Sequence, residues 1–165
     1  MKRAAVAITG PSNSGKTTLI VKIAQKLISQ QNEVAIVKHD PKDKALFDTE
    51  GKDSYKFTQT GAQTAVVSPA RTTFFLKNGK SIDEIIEIFK DFDYLIVEGL
   101  KSLPLPRIAV FRNSIDESYF PHSNAIAIDK SVDITLYRIP EGISVLNLND
   151  TDEIIAWIEK NAKIV

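Results

Sequence analysis

No cysteine occurs among the 165 residues, so neither a disulfide nor a thiolate metal site is available. The composition fits a reducing compartment, and the expected location is cytoplasmic. Histidine is scarce as well. Two histidines without cysteine argue against a dedicated nickel or zinc centre. Charge of one sign is not in excess, because 21 Lys and Arg balance 21 Asp and Glu. Nothing in that balance points to nucleic acid or to a membrane. Long hydrophobic runs are missing too. The apolar stretch over residues 4–8 is too short for a signal peptide or a membrane span. Repeats, low-complexity tracts and linkers do not stand out, and the length suits one domain over residues 1–165.

What is present is an uneven charge and an alternating pattern. Residues 1–90 carry 14 Lys and Arg against 9 Asp and Glu, whereas residues 91–165 carry 7 against 12. Strand-like segments span residues 3–9, 33–38, 94–97, 107–112, 125–128 and 145–148. Helical spacing covers residues 16–30, where Leu19, Ile20, Ile23, Ala24 and Leu27 share a face. Residues 51–61 read as a short helix stopped by Gly61, and residues 81–90 as a helix opened by a Ser81–Glu84 capping box. A capped C-terminal helix covers residues 150–161, with Ile154, Ile155 and Ile158 on one face. Strands alternating with helices, apolar on both faces, predict an α/β fold with a mainly parallel sheet and helices on both sides. Short strands at 65–67 and 72–77, bounded by turn residues Pro69 and Gly79, predict a small antiparallel hairpin. Phe74 and Phe75 point to opposite faces of any strand, so one ring needs cover from outside the core, which suggests a homodimer.

The chemistry is concentrated where the first strand meets the first helix. Gly10, Pro11, Ser12, Asn13, Ser14, Gly15, Lys16 and Thr17 match G-x-x-x-x-G-K-[ST] in full, and Thr18 follows inside the helix. Backbone N–H groups of such a loop cradle phosphate oxygens, and its glycines allow the turns and the close approach. Lys16 brings positive charge to the outer phosphates, Thr17 offers a hydroxyl to Mg²⁺, and the helix adds its N-terminal dipole. A second metal-side acid belongs at the end of another strand. Glu98, followed by Gly99, and Asp40 both stand at such ends. Lys38 and His39 leave the second strand in the same region. Lys38 suits phosphate, and His39 suits either the ligand or a structural hydrogen bond.

Taken together, these runs resemble the MobB family of molybdopterin-guanine dinucleotide biosynthesis adaptor proteins. The resemblance rests on the loop 10–17, Val37-Lys38-His39, Phe47-Asp48 with Gly51-Lys52-Asp53-Ser54, Gly61-Ala62, Val97-Glu98-Gly99-Leu100-Lys101 followed by Pro104 and Pro106, and residues 147–150. It implies a P-loop NTPase fold of the dethiobiotin-synthetase-like branch, GTP and Mg²⁺ as ligands, a dimer, and weak GTPase activity. The implied partner is a MobA-type molybdopterin guanylyltransferase, with molybdopterin itself a further ligand. Carried onto this chain, Lys16 and Thr17 hold phosphate and Mg²⁺, and Glu98 serves the metal or its waters. Asp48 and residues 51–54 line a cleft facing the cofactor or a second subunit. Pro41 and Lys42 stand where the family often has further histidines, so this chain departs from the family's histidine cluster. A standard guanine-reading motif is also missing. Asp129 or Lys130, after the strand 125–128, is the substitute, with a solvated strand end as the plain alternative.

Two other functions fit the same loop: a small-molecule kinase and a nucleotide or pterin carrier that does not hydrolyse. The five arginines, at 3, 71, 107, 112 and 138, include no close pair, which disfavours the arginine-bearing lid of a kinase. No glutamine is evidently placed to orient water, and no arginine is assignable in cis, so hydrolysis should be slow.

Overall fold

The computed structural model describes residues 2–165, and the chain forms two compact units. One runs to His39 and resumes over Asp91–Val165; the other is Asp40–Lys90.

The first unit is built on β1 (Ala4–Thr9), buried along its whole length. β5 (Tyr94–Glu98) and β6 (Arg107–Phe111) flank it in parallel. β2 (Val34–Lys38) lies outside β5, while β7 (Ala125–Ile128) and β8 (Ser144–Asn147) extend the sheet beyond β6. The order is therefore β2-β5-β1-β6-β7-β8. The connection from β1 leads to β2 on one side of β1, and that from β5 crosses to β6 on the other. In an open α/β sheet that reversal leaves a crevice at the carboxyl ends of the strands, and the phosphate loop follows β1 there.

Side chains alternate between the two faces of the sheet. Val6, Ile8, Ile96, Ile108 and Val110 pack with the apolar stripes of two helices, α1 (Lys16–Ser29) and α4 (Thr151–Asn161). The α1 stripe is the expected one: Leu19, Ile20, Ile23, Ala24 and Leu27 are its buried residues. Each larger member stabilises the fold by about 2 kcal/mol through burial. Trp157 joins the same cluster from α4. On the opposite face, Ala109, Phe111 and Ile126 pack against Ile115, Phe120 and Val132. The cover here is a 3-10 helix, Glu117–His122, rather than an α-helix. Pro121 lacks an N–H donor and suits only such a short element, and Asp116 caps it by accepting from the Ser118 amide.

A further strand was not legible from the pattern. β9 (Lys163–Ile164) runs antiparallel to β1, opposite Ala4 and Ala5. It occupies the stretch of that edge that β6 leaves unpaired, because β6 pairs only from Ala7 onward. Arg3 secures the end, donating from Nε to the Val165 carbonyl at 2.8 Å.

The second unit holds α2 (Asp53–Gln59), β3 (Thr64–Val67), β4 (Thr72–Phe75) and α3 (Ile82–Phe89). β3 and β4 form the expected antiparallel hairpin, as a two-stranded sheet of their own. The Ser81–Glu84 capping box is complete in both directions. The Lys80 ammonium and the Ser81 amide pull the Glu84 carboxyl down to about 2. Among the described residues, no helix is long and apolar enough to cross a membrane.

Candidate functional site

Backbone sterics explain the residues that open and close the loop. Gly10 has φ +142°, and a Cβ there would lie 2.4 Å from the Val110 carbonyl oxygen of β6. Only glycine lets the chain leave β1 so close to its neighbour. Asn13 adopts the left-handed region, with φ +61°. Gly15, at φ +99°, is the N-cap of α1, with no capping side chain and no acid in the first turn. The first amides of the helix, at Lys16, Thr17 and Thr18, have no acceptor within it. With the helix dipole behind them, they suit an anion. Ser14 is buried, and its hydroxyl has no hydrogen-bond partner. Such an orphan is costly, and a ligand oxygen in the loop would relieve it. Pro11 supplies a carbonyl that accepts from Lys16 Nζ at 2.6 Å. Burial lowers the Lys16 pKa; the Glu98 carboxylate opposes that shift and the Lys38 ammonium adds to it.

The sheet register brings the other strand-end groups to this loop. Glu98 lies opposite Ile8 on one side and Lys38 on the other. Lys38 Nζ is 3.7 Å from Glu98 Oε2, and the His39 amide donates to the Glu98 carbonyl at 3.1 Å. Gly99, at φ +88°, passes beneath His39, whose Cβ would be 3.3 Å from an added methyl group. Lys16, Lys38, His39 and Glu98 thus form one group on the β5 side of β1.

The two remaining acids on the Asp40–Lys90 unit are occupied locally. Asp40 accepts from the amides of Lys42, Lys44 and Ala45, which folds the loop after β2. Asp48 Oδ1 accepts from the Ser54 hydroxyl and the Thr49 amide, both at 2.9 Å. Its Oδ2 is buried with no hydrogen-bond partner. The Asp48 and Ser54 of the sequence pattern therefore meet each other across the start of α2.

Asp129 sits one residue beyond β7, on the β6 side of the loop. Oδ1 accepts from the Ser131 hydroxyl and amide, and Oδ2 lies 3.3 Å from Arg112 Nε. The Ser131 bonds, with Arg112 adding, hold its carboxyl below the usual range. Two arginines escaped the sequence reading. Arg112 stands one residue past β6, and its guanidinium carbon would lie 3.3 Å from a Cβ on Gly15. The strand-end logic that selected Glu98 could have selected it. Arg107 is 1% exposed. Its guanidinium donates to the carbonyls of Gly99, Leu100 and Leu103, holding the loop after Glu98. Burial lowers its pKa. No sequence signal separates such an arginine from an exposed one.

Known proteins resemble this chain in sequence and in fold. A Haemophilus influenzae molybdopterin-guanine dinucleotide biosynthesis adapter protein is 29% identical over 93% of this chain and 86% of its own length. A Methanocaldococcus jannaschii protein, provisionally given the same name, is 28% identical over 87% of this chain. The chain spans 64% of that relative's length. The crystal structure of Bacillus subtilis MobB superimposes with a TM-score of 0.76 at 23% identity, covering 96% of this chain and 98% of that one. Residues 5–131 match the family model of MobB, molybdopterin guanine dinucleotide synthesis protein B. From that match over most of its length, on a P-loop α/β fold, the chain belongs to the MobB family.

Proposed function

We propose that this chain is an adapter that binds GTP with Mg²⁺ and assists a MobA-type enzyme in attaching GMP to molybdopterin. The observation that carries the nucleotide part is the loop 10–18, whose first helix amides lack acceptors within the helix and whose buried Ser14 hydroxyl is unpaired, with the Glu98 carboxylate acting on Lys16. The adapter role follows from family membership and from the relatives' names.

Loop amides and Lys16 bind the phosphates, and Lys38 adds charge on the β5 side. Thr17 and Glu98 offer hard oxygen donors, the kind Mg²⁺ takes alongside phosphate oxygens and water. Among the described residues, no group of three or more His, Cys, Asp or Glu could hold a metal by itself. When bound, the ion neutralises charge on the outer phosphates. Hydrolysis by the chain alone is slow, since an arginine supplied in trans is worth about three to five orders of magnitude in the best-studied cases. Asp48, with Gly51 to Ser54, is the surface for the pterin or a second subunit.

Titration of GTP and ATP, with and without Mg²⁺, tests this reading. GTP should bind more tightly than ATP, and Mg²⁺ should strengthen GTP binding less in Glu98→Gln than in the parent. A preference for ATP with a phosphorylated acceptor would replace the adapter by a kinase. Binding without release of phosphate would favour a carrier.

The chain also acts as a homodimer in this reading. The β3–β4 hairpin leaves Phe74 60% exposed and Val67 74% exposed, an apolar edge that proteins usually cover. Sedimentation should show a dimer at micromolar concentration, weakened in Phe74→Ser. A monomeric parent would remove the dimer, and a dimer indifferent to Phe74 would move its interface elsewhere.

A further inference from the structure

We infer that Arg112 is a nucleotide-binding residue, held by Asp129 so that its guanidinium meets the phosphate nearest the nucleoside. The inference rests on the nucleotide-binding reading of the loop and adds to it a residue and a direction. Three observations carry it. First, the Arg112 guanidinium lies flat against the phosphate loop. Its Cζ, Nε and Nη2 would be 3.3, 3.3 and 3.4 Å from a Cβ on Gly15, the residue that opens α1. Its charge lies at the positive end of the helix dipole, offset by the Asp129 carboxylate. Second, its ion pair with Asp129 engages Nε. That grip leaves the two Nη groups, the fork that matches phosphate oxygens. Third, Asp129 is itself fixed, since Ser131 occupies its other oxygen twice. The carboxylate is thus built into a bracket that aims the arginine.

The sheet order gives the direction along the nucleotide. Glu98 and Lys38 end β5 and β2, on one side of β1, and Arg112 and Asp129 follow β6 and β7, on the other. The metal-side groups mark the end of the phosphate chain that bears the terminal phosphate. Arg112 therefore faces the opposite end, towards the nucleoside. On this arrangement Asp129 is a positioning residue that acts through Arg112. Arg112 is 42% exposed at its side chain, so its replacement leaves the core untouched.

The test is equilibrium binding of GDP and GTP to the parent, Arg112→Gln, Arg112→Lys, Asp129→Asn and the Arg112→Gln/Asp129→Asn double variant. Unfolding transitions serve as the control for folding. Arg112→Gln should weaken GDP and GTP by the same factor, about tenfold to a hundredfold, as expected for loss of a charge-assisted contact. Arg112→Lys should recover part of that loss. Asp129→Asn should weaken both nucleotides alone but add nothing in the Arg112→Gln background, because its effect passes through the arginine. Guanosine, which has no phosphate, should compete equally poorly against the parent and Arg112→Gln. Unchanged affinity in a folded Arg112→Gln overturns the inference while leaving the nucleotide site intact. A loss confined to GTP, or guanosine competing better against the parent, overturns the phosphate assignment. Additive losses in the double variant overturn the positioning role of Asp129. A parent that binds neither nucleotide removes the functional reading, and this inference with it.

Discussion

Lys16→Ala should lose nucleotide affinity by about a hundredfold or more while unfolding at nearly the parent temperature. The side chain donates a hydrogen bond to the Pro11 carbonyl, and that carbonyl lies in a partly exposed loop. Surface truncations of this kind shift stability by about 0.5 kcal/mol or less. The ligand loses much more. Three ammonium donors at the outer phosphates make charge-assisted bonds worth about 1.5–3 kcal/mol each. The depressed Lys16 pKa has the same meaning. Burial disfavours the ammonium, and a bound phosphate would restore what burial takes away. Calorimetric titration with GTP, beside a thermal melt, separates the two quantities. Parent-like affinity in the variant would remove the loop from the nucleotide site. A large drop in melting temperature would show that Lys16 supports the fold itself.

Gly10→Ala should produce the opposite pattern, a loss of stability. The added methyl group would meet the Val110 carbonyl oxygen at 2.4 Å and the Val110 nitrogen at 3.2 Å. Both are backbone atoms of β6, the strand that pairs with the second half of β1. Relief requires moving a central strand, because neither atom can rotate away. The φ of +142° adds strain for any residue with a Cβ. Overpacking and backbone strain together cost about 2–5 kcal/mol, which lowers the melting temperature by about 10 °C in a chain of this size. Gly142→Ala is the control. Its φ is +90°, with nothing within 4 Å of the added group, so only the backbone term of about 1–2 kcal/mol applies. Equal melting temperatures for the two variants would mean that β6 gives way easily and that the close approach is not what selects Gly10.

Local rules located most of the fold. The buried face of α1 follows from 3.6-residue spacing, and the Ser81–Glu84 box closes because both partners lie within one turn. Glu98 was legible for a similar reason. An apolar strand ending in acid and glycine has few places to go in a P-loop sheet, and parallel pairing sets it opposite Ile8. Asp40 looked equivalent by the same rule. Their surroundings differ: Asp40 turns its carboxylate onto three amides of its own loop, and Glu98 lies against the Lys38 ammonium. A neighbouring loop's conformation makes that difference, and no residue pattern announces it.

Within seventeen residues, the order of apolar, glycine and hydroxyl positions determined that this chain carries a phosphate loop between a strand and a helix. Those interactions are local, so adjacent residues specify them. Tertiary structure alone decided what surrounds that loop. β9 exists because β6 leaves Ala4 and Ala5 unpaired. Arg107 is buried because three carbonyls of residues 99–103 turn towards it. Arg112 reaches Gly15 because β6 lies next to β1 although about a hundred residues separate them in sequence. Contacts across that distance are set by strand order and packing, which no window of sequence contains.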